Sequence, residues 1–355
     1  KVNTSYQSLF TLFTSGSTGA PKGIVHTTGG YLLYAKLTCE KQFGMNKNSI
    51  VLTASDAGWI NGHTYSLFGP LSFGATTILV EKPISLIDKN IFEKILDLRA
   101  SIIYLPVTLI RLIKSLNKNL NIKKKYINAI GSMGEPLAPS VAKWFAKNFA
   151  KKDTGIVNTY FQTETAGIIS SPGFNDKISD VPLGTVGKQI TKNLGMFVDK
   201  KTTNQKAEVK IKNPWPGCMI DVINNKKLFE EYWDKNQNFR LFDLASYDKK
   251  KNLIIHGRLD DVINIRGHRI GSAEIESIIL KSHYIKEVCA IGIDDELAGK
   301  ELIVFIVSNT KTRVTNVVEN LIFDNFGSFA LPKKIILLSE LPKTRSGKIL
   351  RRVLR

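Results

Sequence analysis

Cysteine is scarce in these 355 residues: Cys39, Cys218 and Cys289 are the only three, an odd number without metal-type spacing. Neither a disulfide framework nor a cysteine-ligated metal centre is expected, and all three read as packed or partly buried residues. Long apolar runs are missing as well. No segment approaches the ~18 uninterrupted apolar residues that a membrane-spanning helix needs. Residues 1–30 lack the charged, apolar and small-residue succession of a secretory leader, so a soluble cytoplasmic protein is expected. Internal repeats and low-complexity stretches are absent too. Acidic residues are in deficit, 31 against 50 Lys and Arg, for a formal charge of +19. Such a balance suits polyanionic partners, nucleic acid among them. Yet the lysines are spread along the whole chain, and the densest cluster, Lys123-Lys124-Lys125, has one aromatic neighbour, Tyr126. A base-stacking surface needs repeated aromatic and basic residues. Nucleic acid and membrane are therefore not expected partners; a solvated lysine-rich face that favours small polyanions such as ATP is.

What is present is a globular composition, 43% hydrophobic and long enough for at least two cored domains. Short β-branched runs at 50–53, 76–80 and 102–105 alternate with amphipathic helical patterns at 88–99, 108–117 and 139–149, and Pro139 suits a helix start. That alternation predicts α/β sheets. From Glu208 the pattern turns strand-rich, with runs at 208–212, 219–223 and 253–256 that predict a β subdomain. After Asp261 a new unit is expected, with strands at 262–265, 287–293 and 302–308 and a helix at 273–282. The fold class is thus α/β with a β subdomain over residues 1–260, followed by a small α+β domain over 261–355.

The strongest local signal is Thr14-Ser15-Gly16-Ser17-Thr18-Gly19-Ala20-Pro21-Lys22-Gly23, which follows the apolar run 9–13. Its three glycines let the backbone turn and bring N–H groups close to an anion, while four hydroxyls and one ammonium add donors. Polyphosphate is the natural guest. A Walker A loop is excluded, because Pro21 stands where its second glycine belongs.

Further segments are Ile24-Val25-His26-Thr27-Thr28-Gly29-Gly30, Asp56-Ala57-Gly58-Trp59-Ile60-Asn61-Gly62-His63, Gly134-Glu135-Pro136 and Tyr160-Phe161-Gln162-Thr163-Glu164-Thr165. Then come Pro214-Trp215-Pro216-Gly217, Gly257-Arg258-Leu259-Asp260-Asp261, Gly267-His268-Arg269-Ile270-Gly271 and Leu341-Pro342-Lys343-Thr344-Arg345-Ser346-Gly347-Lys348. In this order they resemble the adenylate-forming acyl-CoA synthetases, most closely the AMP-forming acetyl-CoA synthetase branch, over nearly the whole chain.

The resemblance implies ATP-dependent adenylation of a carboxylate followed by thioester formation with coenzyme A. Two anions must meet in such a site, so cations and oriented donors are required. Thr14, Ser15, Gly16, Ser17, Thr18, Gly19 and Lys22 would hold the β- and γ-phosphates, and Glu164 would be the Mg²⁺ ligand. Gly134, Glu135 and Pro136, with Asn158 and Thr159, would line the adenine, beside Gln162 and Thr163. Asp243 and Arg258 would hold the ribose hydroxyls, and Arg269 would lie near the AMP phosphate. Lys348 would bring positive charge to the reacting carboxylate and α-phosphate; its reversible acylation by lysine-modifying enzymes is implied as an off-switch. Asp260 would be the hinge of the small domain, and Gly267 would pass close to the pantetheine of CoA. Trp59 and His63 read as packing or CoA-tunnel residues.

The acyl pocket would be formed by Ile60, Asn61, Met133 and Phe161. Phe161 stands where the acetate-using branch carries tryptophan, while Met133 and Ile60 replace smaller valines. Asn61 replaces threonine and adds an amide able to bond a polar acyl tail. Acetate is the first expectation, propionate or another short acid the next. The segment 322–325 lacks a basic residue common in the family for a CoA phosphate, and 187–207 matches poorly. The phosphate loop lies well inside the family's large domain, so the resemblance implies roughly the second half of a full enzyme, possessing or lacking activity by itself.

Overall fold

The computed structural model describes residues 4–15, 21–56, 58–116, 122, 124–151, 155–177, 179–199, 206–259, 262–265, 268–295, 299–310, 314–343 and 349–354, with backbone alone at Ser15, Val262, Asn264, His268, Arg269, Asp294, Asp295, Gly299 and Arg352. They divide into two compact units, Lys1–Leu241 with Ser246–Ile254, and Phe242–Ala245 with Ile255–Arg355.

The first unit opens with an antiparallel hairpin of β1 (Ser8–Ser15) and β2 (Pro21–Thr27). Its register sets Thr14 opposite Lys22 and Ser15 opposite Pro21, so the phosphate-loop sequence is the connection of a hairpin. A third strand, Asp221–Val222, pairs with β2.

Behind it comes a parallel sheet of β3 (Ile50–Thr53), β4 (Thr76–Ile78), β5 (Ile102–Pro106), β6 (Ala129–Met133) and β7 (Val157–Asn158), in the order β4-β3-β5-β6-β7. Parallel strands are covered on both faces and so read as unbroken apolar runs, which is why β3 and β5 fall where the sequence predicts them. β4 stops at Ile78, two residues early. The helices Lys89–Leu96, Val107–Leu116 and Pro139–Phe149 pack with this sheet around Leu52, Ile103, Leu105, Phe92, Ile110, Phe145 and Phe149. The first is shorter than its pattern. Asp88 caps its start by accepting from the N–H groups of Asn90 and Ile91, and Arg99, at φ +60°, lies just past its end.

The β subdomain is a four-stranded sheet, Met196–Val198, Ala207–Ile211, Phe239–Tyr247 and Leu253–Arg258, and the chain passes between the two units within its last two strands. In the second unit a five-stranded sheet runs His268–Gly271, Val262–Ile265, Gly299–Ser308, Ile285–Asp295, with Lys334–Leu337 parallel to Gly299–Ser308. The helices Ser272–Ile279 and Val314–Phe326 lay Ile275, Ile279, Val318 and Ile322 into its apolar core. The α/β class with a β subdomain and a small α+β unit is the one observed.

Candidate active site

The hairpin, the turn Thr163–Thr165 and a tyrosine distant in sequence meet at one buried carboxylate. Glu164 is 6% exposed. The Lys22 ammonium, on β2 directly past the phosphate loop, lies 2.8 Å from its Oε1, and the Tyr232 hydroxyl donates to the same oxygen at 2.6 Å. Lys22 also donates to the Tyr232 hydroxyl, so the three groups form a closed triangle. Burial alone would raise the Glu164 pKa; the charge of Lys22 and the hydrogen bonds from Lys22 and Tyr232 outweigh it and hold the carboxyl below its usual range.

The turn is held from behind by three successive carbonyls. His26 Nε2–H donates to Thr163 O at 2.7 Å, Met219 N–H to Glu164 O at 3.0 Å, and Trp215 Nε1–H to Thr165 O at 3.4 Å. A Cβ on Gly217 would fall 2.4 Å from the Tyr34 ring and 2.9 Å from Thr165 O, which explains glycine in the segment that carries Trp215. Burial pushes the His26 pKa down from 6.5 to about 4, so this ring is neutral at pH 7. Ala166, just past the turn, adopts φ +61°, a strained conformation for a residue with a Cβ.

The carboxyl ends of β6 and β7, where ligands of parallel sheets gather, carry Gly134, Glu135, Asn158 and Thr159. Gly134 has φ +88°, and a Cβ placed there would meet no described atom within 4 Å. Glu135 pairs with Arg111 and accepts from Thr108 Oγ1 at 3.1 Å. Asn158 Nδ2 donates to Thr185 O at 2.7 Å and its Oδ1 accepts from Ser132 at 2.9 Å; Thr159 Oγ1 lies 2.6 Å from Tyr104 Oη. The side chains of Asn158 and Thr159 therefore brace the strand ends. Gln162 Nε2 donates to Leu241 O at 2.6 Å.

Within the second unit Asp243, 6% exposed, lies 3.6 Å from the Arg258 guanidinium. The residue before it, Phe242, has φ +53°, a conformation costly inside a strand that re-aims the chain at the aspartate. Ile60 joins Leu12, Tyr31 and Ala166 in an apolar cluster against which Phe161 packs, and Phe161 meets Tyr65 edge-on at 5.6 Å. Met133 is buried at the end of β6 outside that cluster. Asn61 is buried, and neither polar atom of its amide has a hydrogen-bond partner among the described residues. His63 stacks on Phe10 at 4.9 Å and its Nδ1 lies 3.1 Å from Trp59 O, a packing role. Gly16, Ser17, Thr18, Gly19, Asp260, Gly267 and Lys348 lie outside the described residues, as do the side chains of Ser15 and Arg269; Pro136 is exposed directly after Glu135.

Tyr232 carried no signal in the sequence. It stands in Glu230-Glu231-Tyr232-Trp233, a segment without motif character, and only folding brings it to Glu164. His26 stands in the motif that continues the phosphate loop, but its spacing there points to no role.

Among the described residues no helix is long and apolar enough to cross a membrane, and no cluster of three metal-type side chains occurs. Residues 3–217 match the AMP-binding enzyme family and 274–348 the C-terminal domain of AMP-binding enzymes. Acetyl-coenzyme A synthetase 1 of Kluyveromyces lactis is 35% identical over 368 residues, covering 98% of this chain and 52% of that protein. The Saccharomyces cerevisiae acetyl-coenzyme A synthetase 1 is 34% identical over 370 residues, with coverage of 98% and 52%. The Aeromonas salmonicida acetyl-coenzyme A synthetase is 34% identical over 361 residues, with 98% and 55%. The chain thus spans about half the length of the curated relatives it matches. Among solved structures, an anthranilate CoA ligase in complex with anthranoyl-AMP aligns with TM-score 0.84 at 19% identity, covering 98% of this chain and 67% of that one. A benzoate CoA ligase from Burkholderia xenovorans aligns with TM-score 0.83 at 22% identity, covering 99% and 69%. These two likenesses establish the fold. With a family match that takes in the hairpin, the Glu164 turn and the Trp215 segment behind it, the chain belongs to the AMP-binding enzymes.

Proposed function

We propose that this protein is an AMP-forming acetate–CoA ligase: acetate attacks the α-phosphorus of ATP to give acetyl-AMP and pyrophosphate, and the thiol of coenzyme A then takes the acetyl group and releases AMP. The observation that carries the reading is the buried Lys22–Glu164 pair. A buried ion pair is a poor stabilising device, because desolvation offsets most of its attraction. Here it stores a cation and a hard oxygen donor at the base of a glycine- and hydroxyl-rich hairpin loop. The phosphates of ATP call for the one, and Mg²⁺ for the other.

The residues fit that demand. Thr14, Ser15, Gly16, Ser17, Thr18, Gly19 and Lys22 bind the β- and γ-phosphates; the buried Thr14 Oγ1 has no partner of its own within the described residues. Glu164, its carboxyl held ionised, holds Mg²⁺, which neutralises phosphate charge when bound. Gly134, Glu135 and Pro136 face the adenine, and the open space over Gly134 leaves room for a flat base. Gln162, Thr163, Asn158 and Thr159 complete the nucleotide wall. Asp243 and Arg258 hold the ribose, since a carboxylate accepts both hydrogen bonds of a cis-diol. Lys348 and Arg269 bring positive charge to the carboxylate and α-phosphate, and Gly267 adjoins the CoA thiol arm. Residues 1–260 form the adenylation domain and 261–355 the small domain that turns about Asp260. The setting is cytoplasmic, and acylation of Lys348 switches the first half-reaction off by removing its charge.

The test is acid-dependent exchange of pyrophosphate into ATP by the full-length protein, with acetate, propionate, butyrate and a long-chain acid, and with Lys348→Ala as control. Exchange that peaks at a two- or three-carbon acid and is lost in the control supports the reading. A folded protein that exchanges with no acid, or only with acids beyond six carbons, sinks it.

A further inference from the structure

We propose that Asn61 is a specificity residue that hydrogen-bonds a hydroxyl group on the acid, so that among acids longer than acetate the three-carbon acids hydroxylated on the second or third carbon are substrates in preference to propionate. The inference rests on the adenylation reading above and extends the acids it takes beyond acetate.

Asn61 is 7% exposed, and both Oδ1 and Nδ2 are shielded from solvent with no hydrogen-bond partner among the described residues. Its neighbours in the chain explain neither atom. Its own backbone is helical, at φ −62° and ψ −42°, directly before the π-helical segment Gly62–Phe68, so it is not placed to cap the segment as an asparagine outside a helix would, and its side chain makes no cap hydrogen bond. A buried amide with neither donor nor acceptor matched is costly to keep, and an apolar side chain of similar volume would remove the cost. Such a group is kept where something outside the chain completes it.

Its place points to the acid. Ile60, the preceding residue, packs with Leu12, Tyr31 and Ala166, and Phe161 closes against that cluster. Thr64, on the same segment, donates from Oγ1 to Ala166 O at 2.6 Å. Tyr65, also on this segment, meets Phe161 edge-on at 5.6 Å, and Ala166 follows Glu164 by two residues, so the segment that carries Asn61 packs beside the turn whose carboxylate would hold the phosphate-bound metal. Among the described residues, two further buried polar atoms without partners, Thr14 Oγ1 and His26 Nδ1, lie on β1 and β2, the strands leading into and out of the phosphate loop.

The chemistry selects the group. A hydroxyl donates to Oδ1 and accepts from Nδ2 at once, so it satisfies both halves of the amide. A methyl satisfies neither. A second carboxylate accepts from Nδ2 but sets an anion against Oδ1, and an ammonium has nothing to offer Nδ2. Ile60 and Phe161 keep the acid short.

The experiment is pyrophosphate exchange by the full-length protein with acetate, glycolate, propionate, lactate and 3-hydroxypropionate, for wild type, Asn61→Leu and Asn61→Thr. Wild type should favour lactate or 3-hydroxypropionate over propionate by about tenfold or more in kcat/KM. Asn61→Leu should cut that ratio by on the order of 100-fold, since a site that pairs a substrate hydroxyl discriminates strongly; Asn61→Thr, which keeps one hydroxyl, should fall between. A wild type that prefers propionate to both lactate and 3-hydroxypropionate, or variants that shift hydroxy and parent acids alike, overturns the inference while the ligase reading stands. Absence of exchange with every acid removes both.

Discussion

Two sheets of the first unit solve burial in opposite ways. The parallel sheet β3–β7 and its helices enclose a dry core of leucine, isoleucine and phenylalanine. The hairpin sheet holds an ion pair, a neutral histidine and buried polar atoms that lack partners among the described residues. β6 is buried along its whole length whereas β1 buries Leu12 alone, and the two sheets differ as well in what their buried atoms need. Apolar side chains are satisfied by any close packing, whereas charged and amide groups need particular partners at particular distances. The first sheet is a scaffold that holds position, and the second holds chemistry that the scaffold must stabilise.

The contrast should break most sharply at the ion pair. Lys22→Met should lower stability by about 3–5 kcal/mol, because it leaves Glu164 buried without its cation, and should abolish exchange. The double variant Lys22→Met, Glu164→Leu should regain most of that stability with no activity. Denaturant midpoints read beside exchange rates check both; a single variant as stable as wild type would show that the pair is not a buried charge pair in solution. Phe145→Ala, in the dry core, should cost a similar 3–5 kcal/mol, roughly that of other buried phenylalanines, yet leave the KM for ATP unchanged where the protein is folded.

Acid should act on the hairpin sheet selectively. The folded pKa of His26, about 4, lies below its unfolded 6.5, so the unfolded state binds more protons in that window. Stability is then fully present above pH 6.5 and falls by up to about 3 kcal/mol as pH drops toward 4. Glu164, also lowered, adds a loss of the same sign at more acid pH, below the usual carboxylate range. His26→Gln keeps a donor for Thr163 O and should flatten the slope between pH 4 and 6.5; an unchanged slope would assign it elsewhere.

Tyr232→Phe keeps the ring stack on Phe239, 5.6 Å between centroids, and removes both the hydrogen bond donated to Glu164 and the one accepted from Lys22. About 2 kcal/mol of stability should go, and the KM for Mg²⁺ should rise more than kcat falls. The smallest effect is expected at Gly134→Ala. Its Cβ has room, so only the positive φ opposes it, roughly 1–2 kcal/mol, while affinity for ATP should fall by more than stability does. Equal losses would mean that nothing lies over this glycine.

Much of this was legible in the residues alone. β3 and β5 stand out as apolar runs between helical patterns, and the helix Pro139–Phe149 by its opening proline. Lys22, Glu164 and Arg258 were proposed from motif order, because each sits in a short segment of distinctive residue types, whereas Asp243 was proposed from the resemblance alone. Helix ends were less so, since a capping aspartate and a positive-φ arginine set them locally at Asp88 and Arg99.

Residue type and spacing along the chain carried the alternation of sheet and helix, the glycine- and hydroxyl-rich stretch suited to phosphate, and the family. Folding settled that this stretch joins a hairpin, that Tyr232 closes the Lys22–Glu164 pair, that His26 holds Thr163, and that the Asn61 amide is buried with no partner among the described residues. Lys22 and Tyr232 are 210 positions apart, and periodicity reports which face of an element is buried, never which distant residue completes a hydrogen bond on that face.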